Sequence, residues 1–360
     1  QPLNAANVRP ETVITRPDKY FEVATYAGNA TTQHINVGLR PDFVWIKERT
    51  DAGGVAHYLG DTVRGINKNL QSNTTQNEGT DNQYGYVSSV DDYGFTVTQG
   101  SSDNFYTNGN PETYVAWSWK AGGNKNTFNV DDVGYASAAA AGLTGGDITP
   151  TGASVGTKQG FSIIKYAGNL SSAGPQTVPH GLSQKPSLII SKSLNVTNGE
   201  SGNWYVNHSY NYGNWFRLNL TNNGQSISSS GGGTTSDPTN TLFNTYYIDG
   251  SNVNSNNYIA YLWHDVPGLQ KFGSYTGNSN ANGSYVELGF RPALLWIKRT
   301  DAAGNWVILD TKRNPSNPVT TSLYADTSEK DYDPGQDWAD ILSNGFKIRA
   351  TYGEVNVGSY

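Results

Sequence analysis

The sequence contains no cysteine and no methionine among its 360 residues. Without thiols, neither disulfides nor thiolate metal sites can hold the chain, so apolar burial and hydrogen bonding must do it. The missing methionine extends to the first position, as expected of a processed or trimmed product or a fragment of a longer chain. Charge is scarce too: Asp, Glu, Lys and Arg make up only 15% of residues, and the net charge is −6. That balance excludes phosphate-backbone binding as the main task, because a nucleic-acid footprint needs clustered Lys and Arg. No apolar run reaches the ~18 residues that a spanning helix requires, so no membrane insertion is expected. No signal peptide or lipidation motif is visible. Helix-period patterning is nearly absent.

What is abundant is glycine (41 residues) and tyrosine (23), with nine tryptophans and much Asn, Ser and Thr. That is the composition of a turn-rich β protein. Its organising feature is a repeated phrase, Gly38-Leu39-Arg40-Pro41-Asp42-Phe43-Val44-Trp45-Ile46-Lys47 and Gly289-Phe290-Arg291-Pro292-Ala293-Leu294-Leu295-Trp296-Ile297-Lys298. A looser copy runs from Gly181 to Lys192, with Pro186 again six residues before the lysine. Proline suits the entry to a strand, and the apolar run behind it predicts a central strand buried on both sides. Each copy follows a second phrase, Tyr26-Ala27-Gly28-Asn29, Tyr166-Ala167-Gly168-Asn169 or Tyr275-Thr276-Gly277-Asn278, whose Gly-Asn reads as a turn where φ can become positive. Copies one and three share Asp-x-x-Arg (Asp61 and Arg64, Asp310 and Arg313), which copy two lacks. A closing phrase, Tyr114-Val115-Ala116-Trp117 or Tyr258-Ile259-Ala260-Tyr261, aligns with Tyr360, where copy three is expected to stop inside its last strand.

These phrases divide the chain into an extended lead-in (1–17), β repeat one (18–121), a Gly/Ala/Ser-rich linker (122–158), β repeat two (159–270) and β repeat three (271–360). The expected fold is mainly β, as tandem antiparallel β-sandwich repeats of jelly-roll or lectin-like kind. Residues 62–70 and 336–342 are the two places where a short helical turn is expected.

The residues offer little for catalysis. The five histidines are scattered without metal-ligand spacing, no Gly-x-Ser-x-Gly phrase is placed at a strand-to-helix elbow, and no cofactor is expected. The Asp61–Arg64 and Asp310–Arg313 pairs read as structural ion pairs, since a catalytic site need not be duplicated. Asp331, Asp333 and Asp337 around Pro334-Gly335 are the one weak calcium candidate, without the spacing of a full calcium loop. Aromatics among Asn and Gly carry the functional signal: Tyr84, Tyr86, Tyr106, Tyr210, Tyr212 and Trp215 are candidate glycan-binding residues, because flat rings stack on sugars.

The ordered phrases together resemble an uncharacterised tandem-repeat domain of bacteriophage tail-fibre-like and tail-associated proteins, chiefly of marine phages including cyanophages. The resemblance spans residues 18–360 and carries no catalytic residues with it. It implies a non-enzymatic virion protein, in a tail fibre or other exterior appendage, that displays a receptor- or glycan-binding surface. The implied partners are other copies of itself, as a homotrimer by fibre analogy, other virion proteins and a host cell-surface glycan. The rival expectations are a purely structural virion component, such as a head decoration or a collar or baseplate connector, and a polysaccharide depolymerase.

Overall fold

The computed structural model describes residues 14–79, 83–103, 105–196 and 200–360. Most of the expected lead-in therefore lies outside the described residues. Repeat one contains β1 (Phe21–Ala27), β2 (Gln33–Asn36), β3 (Phe43–Glu48), β4 (Tyr58–Asp61), β5 (Gly65–Leu70), β6 (Tyr86–Asp91), β7 (Gly94–Thr98) and β8 (Thr113–Trp119). One sheet has the order β1-β8-β3-β4-β5 and the other β2-β7-β6. Next come β9 (Phe128–Val130), β10 (Val133–Tyr135), β11 (Gly152–Gly156), β12 (Phe161–Ala167), β13 (Pro175–Pro179), β14 (Leu188–Ser193), β15 (Trp204–His208), β16 (Asn214–Arg217), β17 (Gln225–Ser226), β18 (Leu242–Tyr246) and β19 (Asn257–Trp263). Nine of these form one sheet, β10-β9-β11-β12-β19-β14-β15-β16-β17, faced by the pair β13-β18. Repeat three supplies β20 (Tyr285–Glu287), β21 (Leu294–Lys298), β22 (Trp306–Asp310), β23 (Leu323–Tyr324), β24 (Ala339–Leu342) and β25 (Gly345–Ile348), in sheets β21-β22-β23 and β20-β25-β24. Pairing is antiparallel apart from β9 with β11. The mainly β, antiparallel reading is borne out.

The repeated phrase forms β3, β14 and β21, and side-chain alternation sends its residues to two different cores. In β3, Phe43 and Trp45 enter a central cluster shared by all three repeats, whereas Val44 and Ile46 enter the core between the two sheets of repeat one. β14 divides likewise: Leu188 and Ile190 face the shared cluster and Ile189 the core of repeat two. So does β21, with Leu294 and Trp296 against the shared cluster and Leu295 and Ile297 in the core of repeat three. Each repeat is a sandwich with its own core, and the far face of its inner sheet packs on its neighbours. The run is largely apolar because both of its faces pack against other side chains, fully in β3 and β14 and partly in β21.

The Tyr-x-Gly-Asn phrase builds one clasp three times. Tyr26, Tyr166 and Tyr275 stack on Tyr114, Tyr258 and Tyr360 at 5.2, 5.3 and 5.0 Å between centroids. Their hydroxyls donate to the carbonyls of Thr107, Ser251 and Val355 at 2.7, 2.6 and 2.7 Å. The next residue in each loop is an asparagine, Asn108, Asn252 or Asn356, whose Oδ1 accepts the backbone N–H of Asn29, Asn169 or Asn278 at 3.0, 2.8 and 2.9 Å. The residue after that, Gly109, Val253 or Val357, donates its N–H to the closing tyrosine hydroxyl at 2.7–2.8 Å. Gly28, Gly168 and Gly277 are required for room, since a Cβ would fall 1.9, 2.2 and 2.2 Å from backbone of the asparagine loop. Positive φ belongs instead to the glycines of the other phrase, Gly38, Gly181 and Gly289, at 71°, 71° and 83°.

Two expectations are corrected. Residues 122–158 are not a linker: β9, β10 and β11 extend the sheet of repeat two, and Ala138, Leu143 and Ile148 plug its core. The small residues serve tight packing, as every residue of β11 is buried and a Cβ on Gly122 would lie 2.4 Å from the Val155 carbonyl oxygen. The short helical turns expected at 62–70 and 336–342 are replaced by strands β5 and β24.

The phrase lysines Lys47, Lys192 and Lys298 are buried and donate to the carbonyls of Glu48, Ser193 and Gly304 at 2.7, 3.0 and 2.6 Å. Burial lowers each from the ordinary 10.5 to about 8, against partial support from nearby carboxylates. Below pH 8 these groups are charged in folded and unfolded chains alike. Between about 8 and 10.5 the unfolded chain binds more protons, so stability rises with pH across that window. Urea midpoints at successive pH values are expected to climb from pH 8 to about 9, before the buried tyrosines, raised by burial, begin to ionise preferentially in the unfolded chain, and K192M is expected to flatten part of the climb. Asn252→Ala removes a buried side chain that accepts the N–H of Asn169 and donates to Thr245 Oγ1, and is expected to cost about 1–3 kcal/mol; equilibrium denaturation measures it.

Candidate functional site

The repeats close into a ring through two sets of equivalent positions. Opposite the phrase lysine stand His57, Trp204 and Trp306, at or next to the start of β4, β15 and β22. His57 Nε2 reaches the carbonyls of Tyr324 (3.0 Å) and Thr327 (3.1 Å), joining repeat one to three. Trp204 Nε1 donates to Gln71 O of repeat one, and Trp306 Nε1 to Arg217 O of repeat two, both at 2.9 Å. Two carbonyl partners require the His57 proton on Nε2, and its Nδ1 accepts from Trp45 Nε1 at 2.8 Å. Burial, then the charge of Lys47, lowers His57 to about 3, so it stays neutral. Repeat three has Trp306 in place of that acceptor, and Trp296 Nε1 is accordingly buried with no partner among the described residues.

The second set is Asp61, His208 and Asp310, at the ends of the same strands. Asp61 accepts from Tyr261 Oη of repeat two at 2.7 Å, and Asp310 from Trp117 Nε1 of repeat one at 3.3 Å. His208 lies edge-on to Phe272 of repeat three at 6.3 Å. Both Asp-x-x-Arg pairs are fully buried, with Arg64 Nε 2.5 Å from Asp61 and Arg313 Nε 2.6 Å from Asp310. Burial alone would lower both guanidinium groups; the charges of Asp61 on one and Asp310 on the other outweigh it and raise them. In repeat two His208 replaces the aspartate: its Nδ1 accepts the N–H of Tyr210 at 2.9 Å, as Asp61 accepts that of Val63 at 3.0 Å. The facing group there is an apolar ring, so no carboxylate is needed.

The expected glycan-binding residues do not form one site. Tyr84 and Tyr106 meet edge-to-face at 5.3 Å, and Tyr84 and Tyr210 are exposed. Tyr86 is half-buried on the edge of the repeat one core. Trp215 is 2% exposed, stacked on Tyr205 and covered by the Arg217 guanidinium, and is closed to a ligand. Tyr212 is also buried, donating to Pro186 O under the Lys185 ammonium. The calcium candidates do not assemble either. Asp331 is held between Arg49 (2.8 Å) and Arg313 (2.9 Å), Asp333 caps the N–H of Gly335, and no described residues form a metal-holding group of three.

A cleft that the sequence did not announce opens where repeat one meets the 122–158 segment, with a volume of about 1050 Å³. Its floor, residues 121–123, is pinned by Asp42, whose Oδ2 accepts the N–H groups of Ala121 (2.7 Å) and Gly123 (3.1 Å). Gln159 ties in repeat two by donating to Ala121 O at 2.7 Å. Tyr20 is half-buried in its wall, with Lys158 Nζ 5.8 Å from the ring centre. The lining comes from positions near 20, 40, 92, 120, 131 and 158, so no local motif marks it.

The sequence profile of a family described as a domain of unknown function (DUF7483) matches residues 16–359, and the chain belongs to that family. No match was found among curated proteins or solved structures.

Replacing Arg313 with Ala leaves Asp310 a buried carboxylate without its cation, and a loss of about 3–5 kcal/mol is expected in urea denaturation. The double variant D310N/R313M, which neutralises the site, is expected to be more stable than R313A.

Proposed function

We propose that this chain is a non-catalytic bacteriophage virion protein, part of a tail fibre or tail-associated structure, whose lectin-like β repeats hold a glycan-binding cleft in a rigid frame. The virion assignment rests on the ordered phrases and the family they resemble. The observation that carries the binding reading is the cleft: a half-buried Tyr20 ring beside exposed Asn124 and lysine side chains, on a floor fixed by hydrogen bonds from both repeats. A ring face supplies stacking and the polar rim supplies donors to sugar hydroxyls. The exposed Tyr84 and Tyr210 do not line this cleft and would be secondary contacts.

In this reading the ring of seams is the mechanical part. It buries within one chain the apolar inner faces of three sheets. The homotrimer proposed by fibre analogy would then join whole rings side by side or end to end.

The test is a microarray of bacterial surface polysaccharides probed with the labelled protein and with Y20A. Binding by the parent chain, weakened at least tenfold in Y20A with an unchanged thermal midpoint, supports the proposal. Absence of binding by the parent chain overturns the adhesive part and favours the purely structural virion role.

A further inference from the structure

Five cations line the cleft, Lys19, Arg40, Lys120, Lys125 and Lys158, against three carboxylates, Asp92, Asp131 and Asp132. The carboxylates are already engaged. Asp132 pairs with Lys120 at 2.7 Å, Asp92 with Arg40 at 3.5 Å, and Asp131 accepts the N–H and hydroxyl of Thr157 at 2.9 and 2.6 Å. Lys19, Lys125 and Lys158 are exposed, and none of them pairs with a carboxylate among the described residues. The whole chain carries −6, so an excess of positive charge in one concave place runs against the average. Low-dielectric walls concentrate the field of such a cleft on an anion.

The uncharged groups point the same way. Arg40 Nη2 donates to Asn124 Oδ1 at 2.7 Å, which leaves the Asn124 amide N–H groups as donors to a ligand. Lys158 lies over the Tyr20 ring at 5.8 Å, so a saccharide stacked on Tyr20 would bring an acidic substituent beside an ammonium. The volume of about 1050 Å³ is at the top of the range for small-molecule sites and suits several linked sugar rings better than one.

Resting on the glycan-binding reading above, we infer that the cleft takes an acidic oligosaccharide, one whose rings carry carboxylate or sulfate groups, with Tyr20 stacking and Lys125 and Lys158 pairing with the anionic substituents.

The experiment is isothermal titration with the full chain against oligogalacturonate and heparin-derived oligosaccharides. Their carboxyl-reduced and desulfated counterparts and a single-stranded oligonucleotide of equal charge serve as comparators. Binding of an acidic oligosaccharide at least tenfold tighter than its neutralised counterpart, falling with added salt and lost in K125A/K158A, supports the inference. Equal affinity for acidic and neutralised sugars overturns the acidic assignment while leaving glycan binding intact. Equal affinity for the oligonucleotide shows generic polyanion attraction and also overturns it. No binding of any sugar on either this panel or the microarray removes the glycan reading itself. K125A/K158A changes only exposed side chains, and its thermal midpoint reports whether the fold is kept.

Discussion

The rest of the structure depends on one constraint: the phrase strand at the middle of each repeat's inner sheet has apolar side chains packed on both of its faces. Phe43 and Trp45 look one way and Val44 and Ile46 the other, and both sides are dry. A sandwich with such a strand cannot stand alone, because it would expose a row of aromatics. Three of them solve the problem jointly by turning those rows onto one another, with Trp45 and Trp296 meeting edge-on at 5.3 Å and Phe43 and Tyr261 at 4.6 Å. The buried polar groups at the seams follow from this. Polar groups that enter an apolar centre need partners there, and the Trp117, Trp204 and Trp306 indole N–H groups and the Tyr261 hydroxyl find theirs on a neighbouring repeat.

Much of this was legible. The recurring phrases located the strands, and the largely apolar run after each proline implied burial on both sides, which is complete in β3 and β14 and partial in β21. The double occurrence of Asp-x-x-Arg marks two ion pairs that lie buried at equivalent positions. What the sequence hid was reasons and assemblies. Gly28 looked like a turn residue, yet it is there because Asn108 and Gly109 pass too close for a side chain. The small residues of 122–158 looked like slack, yet Gly152–Gly156 is a buried strand. Composition cannot distinguish a residue that is small for mobility from one that is small for contact. Trp215 and Tyr212 looked available because they sit among Asn and Gly, but a polar neighbourhood in sequence says nothing of what folds over a ring. The cleft was invisible because its lining is drawn from six stretches of chain spread between residues 19 and 159.

The seams also show how near-identical repeats diverge without breaking the ring. The aspartate position is kept where the neighbour presents a donor, Tyr261 Oη or Trp117 Nε1, and becomes His208 where the neighbour is Phe272. The exchange retains the local backbone contact, since imidazole Nδ1 takes the N–H that a carboxylate oxygen takes elsewhere. Trp296 marks a less complete adjustment. Its indole nitrogen lost an acceptor when the position equivalent to His57 became Trp306, a cost of about 1–3 kcal/mol that the surrounding aromatic packing must outweigh.

Residues 122–158 enter the chain once, between repeats one and two, so the geometry of the cleft has no counterpart at the other two seams. A ring of three identical copies would be trivalent by construction. This one, with its single insertion, carries that lining once per chain. On the glycan-binding reading proposed above, the attachment of any larger body built from it would scale with how many chains that body carries and how they are spaced.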